Sequence, residues 1–140
     1  MRLIFFIFSI TYIAAIFLLA GSRVVSDLAP FNPYSLIHIP LYGILTALLI
    51  LSFVPIKPNV LNVLNGPNVL NYPSVRFLIP VLISLIVAIV DEIHQSVIPA
   101  RNASVTDIFL DAVGIALALF FVVKFYRKKK SLHHLSQPTN

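Results

Sequence analysis

The chain has 140 residues, 59% of them hydrophobic and only 11% charged, with a formal net charge of +5. Soluble domains carry about a quarter charged residues, and a core of this size could not hide so much apolar surface behind so few polar groups. A soluble globular enzyme is therefore excluded, and lipid is the expected solvent for most of the chain. The lack of cysteine removes disulfides, thiol nucleophiles and cysteine-based metal sites.

Four stretches are long enough to cross a bilayer core, which takes about 20 apolar residues in a helix. They run from about Leu3 to Ala20, Leu36 to Val54, Phe77 to Ile98 and Ser104 to Phe125. Unbroken apolarity of this length argues for helices over short buried strands. Pro40 is expected in the first turns of the second span and Pro80 in those of the third, where a missing N–H costs little. Pro55 and Pro99 end these two spans. The first span begins like a signal peptide, with Arg2, an apolar run and then Ala20-Gly21-Ser22. It is long for an h-region and has no A-x-A site, so it is expected to stay as a true helix. The fold class that follows is all-α, an integral membrane four-helix bundle over residues 1–126, with a basic tail over 127–140.

Short flanking loops rich in Lys and Arg face the cytoplasm. The tail holds Lys124 and Arg127-Lys128-Lys129-Lys130, so it is expected inside. Four spans return the N-terminus, with Arg2, to the same side, and both termini are then cytoplasmic. The loop 55–76 also lies inside, with Lys57 and Arg76 and no acid. The loop from Gly21 to Ser35 and the turn from Pro99 to Ala103 lie outside. The basic run is read as an anchor on anionic lipid, and no aromatic or fold context makes it a nucleic-acid site. Within the inner loop, Pro58-Asn59-Val60-Leu61-Asn62 recurs as Pro67-Asn68-Val69-Leu70-Asn71. Its Asn, Pro and Gly content marks turns, and duplication in a tolerant loop accounts for it.

The polar residues of the spans are not scattered. Asp91, Glu92, His94 and Gln95 close the third span after a run, Phe77 to Val90, that holds no charge. Asp107 and Asp111 lie in the first turns of the fourth span, His38 and Tyr42 open the second, and Arg101 sits in the turn between the third and fourth. Ionisable groups inside a membrane cost several kcal/mol unless they pair or face a wet cavity. This arrangement predicts one polar pocket open to the outer face. Helical spacing puts Asp91, His94 and Gln95 on one face, while Glu92 points about 100° away toward another neighbour. Ser104, Asp107, Asp111 and Gly114 form a stripe, followed by Ala118, whose small residues allow close helix approach. His38 and Tyr42 are likewise four apart.

Each group has more than one reading. Arg101 pairs with the acids, or it clamps a phosphate or carboxylate of a lipid head group or cell-wall precursor. Asp107 and Asp111 act as an acid pair, a proton relay or a packing hydrogen bond. Asp91, Glu92, His94 and Asp107 are the candidates for acid–base catalysis. His38 and His94 could hold a metal with Asp91, Glu92 and the fourth-span acids, but no metal site is assigned: H-E-x-x-H is absent, and the carboxylate–His pair at i, i+3 occurs once where di-metal sites use it twice. Ser96 and Ser104 lack a nucleophile elbow, no Gly-rich phosphate loop is present, and no cofactor is expected.

These motifs together resemble the VanZ-like family. Asp91-Glu92-Ile93-His94-Gln95, then Pro99, Arg101, Ser104, Asp107 and Gly114, follow the family pattern D-E-x-x-Q, P-x-R, S-x-x-D and a later N-x-x-G. His38, Tyr42 and Leu45 match its second-helix H-x-x-x-Y-x-x-L. Asp111 stands where the family usually has Asn, Ala100 where Gly precedes the Arg, and Ser35 where a Lys often precedes the His. The resemblance implies a small four-helix protein of the bacterial cell membrane, and one member of the family is linked to low-level resistance to the glycopeptide teicoplanin. The expected function is an outward pocket, built from His38, Tyr42, Asp91, Glu92, His94, Gln95, Arg101, Ser104, Asp107 and Asp111. It would bind or modify an anionic or sugar-bearing membrane lipid or envelope precursor. The alternatives are a proton-coupled carrier component and a structural partner without activity of its own. A second copy of the chain is a further candidate partner.

Overall fold

Helices are the form in which an apolar chain satisfies its own backbone within lipid. The computed structural model describes residues 2–22, 36–54, 73–98 and 104–135. They form four α-helices: α1 (Arg2–Ala20), α2 (His38–Phe53), α3 (Pro73–Ser96) and α4 (Val105–Leu135). No strand occurs among the described residues. Three of the helices contain stretches long and apolar enough to cross a membrane: Arg2–Ala20, Arg76–Ser96 and Val105–Phe125. The fourth, α2, has 16 residues and is shorter than the 36–54 span expected from apolarity. Leu36 and Ile37 form a turn ahead of it.

The other boundaries differ for clear physical reasons. Helix α3 starts at Pro73, so Pro80 lies well inside it and is buried, not in its first turns. Pro73 takes the starting position that suits a residue without an N–H, and Pro80 leaves the ladder one bond short. Helix α4 continues past Phe125 to Leu135, carrying Arg127 to Lys130 on helix where a tail was expected. Lys and Arg are good helix formers, so the helix outlasts its apolar stretch.

Helix α2 is the hub. It packs most extensively on α4 and also meets α1 and α3. The α2–α4 contact is backbone to backbone: a Cβ on Gly114 would collide with the Ile39 carbonyl, and one on Gly43 would come within 3.4 Å of the Gly114 oxygen. The small-residue stripe of the fourth span thus does what its spacing suggests. Ile16, Tyr42, Leu45, Leu49, Ala88 and Ile115 make the apolar core. Helix α1 is the most peripheral, with Ser9, Ile16 and Ala20 as its buried residues. Its Tyr12 hydroxyl donates to the Leu41 carbonyl at 3.2 Å and ties it to α2.

The antiparallel order gathers the start of α2, the end of α3 and the start of α4 at one end of the bundle. Gly21, just past α1, lies beside Ile98, just past α3, at that same end. The opposite end holds Arg2, Arg76 and Lys124, and α4 runs on from it through its basic stretch.

Candidate functional site

At the first of these ends, three helices bury their polar side chains against each other. His38 of α2, Asp91, Glu92 and Gln95 of α3, and Asp107 and Asp111 of α4 are all buried, Asp111 completely so. His38 Nδ1 lies 2.8 Å from Asp111 Oδ1, and its Nε2 lies 3.8 Å from Asp107 Oδ2. One turn deeper, the Tyr42 hydroxyl donates to Asp91 Oδ2 at 3.0 Å, and Gln95 Nε2 donates to the same oxygen at 3.0 Å. The rings of His38 and Tyr42 stack at 6.3 Å, so the i, i+4 pair presents one flat face. The close α2–α4 approach at Gly114 is what lets the short Asp111 side chain reach His38.

Glu92 faces a different neighbour from Asp91, as its 100° offset implies. Its Oε2 accepts the Ser104 backbone N–H at 2.8 Å, placing a carboxylate at the start of α4, where unpaired N–H groups and the helix dipole favour negative charge. Ser104 itself caps α4, its Oγ accepting from the Thr106 N–H at 3.2 Å. Ser104 therefore does structural work at the rim of the cluster.

Of the residues expected in the pocket, His38, Tyr42, Asp91, Glu92, Gln95, Ser104, Asp107 and Asp111 come together. His94 does not join their hydrogen bonds: its ring packs edge-on against Phe17 of α1 at 5.5 Å. Arg101, with Pro99 and Ala100, lies outside the described residues, as does the repeat between Pro58 and Asn71. Two residues that the sequence did not flag extend the network inward. Thr46 donates to the Tyr42 carbonyl at 2.7 Å and lies 2.9 Å from the Ser84 hydroxyl. Both continue polar stripes, Thr46 four residues after Tyr42 and Ser84 seven before Asp91, and that spacing was the available signal.

Beside the cluster, a groove of about 250 Å3 runs between α3 and α4. Its walls are Ile89, Ile93, Val105 and Ile108, and its polar edge is Glu92, Ser96 and Ser104. Ile93 and Val105 are strongly exposed on the outside of the bundle, where lipid would meet them. The arrangement thus offers hydrogen-bond acceptors next to an apolar trough. Among the described residues the cluster contains four carboxylates and one imidazole but no Lys or Arg.

Residues 1–126 match a family model described as VanZ/LLP1. No curated protein and no solved structure matches the chain.

Proposed function

The chain belongs to the VanZ/LLP1 family, and from that premise we propose a bacterial cell-membrane protein that binds a sugar-bearing lipid or envelope precursor at its polar end. The carrying observation is the groove, whose isoleucine walls end on Glu92 and Ser104. Its volume of about 250 Å3 is smaller than pockets that enclose a whole small ligand, about 300 Å3 and upward, and suits a stretch of acyl or isoprenoid chain. Such a chain lies along Ile89, Ile93 and Ile108, and hydroxyls of the attached sugar donate to Glu92. A carboxylate-rich rim suits hydroxyl donors better than a bare anion. Arg101, which lies between α3 and α4 in the sequence, is the group that would hold a phosphate in the same head.

The cluster faces the cell exterior in this reading. Arg2, Arg76, Lys124 and the run 127–130 all belong to the opposite end, in keeping with the excess of Lys and Arg on cytoplasmic flanks. Teicoplanin resistance is the phenotype through which the activity would be seen.

Native mass spectrometry of the detergent-purified protein tests the reading through its bound lipids. Wild type should carry a glycosylated lipid that Ile93→Trp and Ile108→Trp, which fill the groove, both lose while remaining folded. Equal retention by the two variants sinks the groove as a binding site. In cells, Asp107→Asn should remove whatever teicoplanin resistance the wild type confers at matched expression.

A further inference from the structure

His38, Glu92 and Asp111 come from three different helices, yet each offers one ligand atom, and these atoms all lie within 4.8 Å of one another. All three residues are buried. Two of their oxygens have no hydrogen-bond partner: Glu92 Oε1 and Asp111 Oδ2. Burying an ionised oxygen without a partner is costly, and here two such oxygens belong to one group of facing side chains. Hydrogen bonds within the group do not absorb them. Asp111 has used Oδ1 on His38, and Glu92 has used Oε2 on the Ser104 N–H.

The charge balance points the same way. Four carboxylates and two imidazoles, His38 and His94, share this end of the described bundle, and the Lys and Arg residues on the described helices belong to the other end. Asp107 and Asp111 stand one turn apart on α4, and Glu92 faces them from α3. A divalent cation at the centre would offset this repulsion and take up both spare oxygens.

We propose that His38, Glu92 and Asp111 form a binding site for a divalent first-row transition-metal ion of the Zn2+ or Mn2+ kind. A set of one imidazole and two carboxylates favours such ions over Mg2+ and Ca2+, which prefer all-oxygen shells. Bond lengths of about 2.0–2.2 Å require the three donors to close in somewhat from 4.8 Å, a movement within the reach of carboxylate rotation. Asp107 completes the arrangement from outside. It faces His38 Nε2 at 3.8 Å, so a small movement lets it accept that N–H, while Nδ1 loses its proton and exchanges its 2.8 Å contact with Asp111 Oδ1 for the metal. Metal-bound histidines commonly hold their second nitrogen in this way. Residue types alone place His38 and the acids of the third and fourth spans in one candidate group, but the ligands lie on three helices and share no motif spacing, so only the packing selects His38, Glu92 and Asp111. The inference goes beyond the lipid reading and does not rest on it.

The test uses the full chain in detergent, stripped with a chelator and titrated with Zn2+ by calorimetry, with Mn2+, Mg2+ and Ca2+ as competitors. Wild type should bind one Zn2+ per chain that millimolar Mg2+ or Ca2+ does not displace, with Mn2+ binding the stripped protein more weakly than Zn2+, and its unfolding midpoint should rise with Zn2+ concentration. Glu92→Gln keeps an oxygen for the Ser104 N–H and should still fold, yet bind Zn2+ at least tenfold more weakly and lose the rise in midpoint. Asp111→Asn should do the same. His133→Ala with His134→Ala removes the two histidines near the C-terminus and should leave binding intact. Folded wild type that takes up no stoichiometric Zn2+ overturns the proposal. So does full binding by both Glu92→Gln and Asp111→Asn, or loss of binding in the double His133, His134 variant alone.

Discussion

The two ends of this bundle use opposite chemistry. At one end, Asp91, Glu92, Asp107 and Asp111 turn inward and bury themselves against His38, Tyr42 and Gln95. At the other, the charged residues are cations, and Lys124 is exposed. On α4 the two regimes are about 20 Å apart, from Asp111 to Lys124 at 1.5 Å per residue. Cations at a helix end reach water or lipid phosphates with their long stems. Short carboxylates one or two turns inside the bundle have no such escape and must be held by other helices. The basic end is suited to anchoring the chain on anionic lipid, whereas the acidic end makes the helices depend on one another.

That contrast can be broken hardest at Gly114. Gly114→Val drives a side chain into the Ile39 backbone and should separate α2 from α4, costing about 3 kcal/mol or more. Thermal unfolding in detergent should show a large drop in midpoint or no folded protein, while Gly21→Ala, which meets Ile98 side-chain carbons at 3.7 Å, should behave as wild type. Next comes Asp111→Ala, which strips His38 of its 2.8 Å partner and should cost about 1–3 kcal/mol in the same assay. Tyr42→Phe leaves Asp91 with Gln95 alone and should cost about 1 kcal/mol. At the basic end, Lys124→Gln should change the midpoint by less than about 0.5 kcal/mol. The proposed role of that end is orientation, and the absence of native cysteine makes this easy to read. A single cysteine placed at Ser131 should react only with reagents that enter the cytoplasm. Replacing Arg127 to Lys130 with Gln should produce a fraction labelled from outside. Exclusive outside labelling of the parent cysteine protein would reverse the assignment of the two ends.

Much of this was legible in the residues. Unbroken apolar runs gave the four helices, and i, i+4 spacing paired Asp91 with Gln95 and aligned His38 with Tyr42. The offset of Glu92 correctly sent it to a different neighbour. Helical angles alone could not say which neighbour lies where. His94 is about 60° off the Asp91 direction at 3.6 residues per turn, and that is enough to turn it onto Phe17. Pro80 was misplaced because apolarity begins at Phe77, although a usable start lies earlier at Pro73. The end of α4 was missed for the converse reason: hydropathy falls at Phe125, but the backbone has no cause to stop there. Thr46 and Ser84 were passed over because two hydroxyls in an apolar stretch resemble ordinary filler until a partner appears across the interface. Asp111 looked on its own helix like a repelling neighbour of Asp107. Only the crossing at Gly114 shows that an imidazole lies between them and the rest of the bundle.

The shortness of α2 bears on the surrounding bilayer. Sixteen residues rise about 24 Å, several ångströms less than a typical hydrocarbon core of about 30 Å. Lipid next to so short a segment thins, or headgroups and water dip to meet it. A dimple of this kind would bring the aqueous boundary down toward His38, so the lipids ringing the protein would differ in height from those a few molecules away.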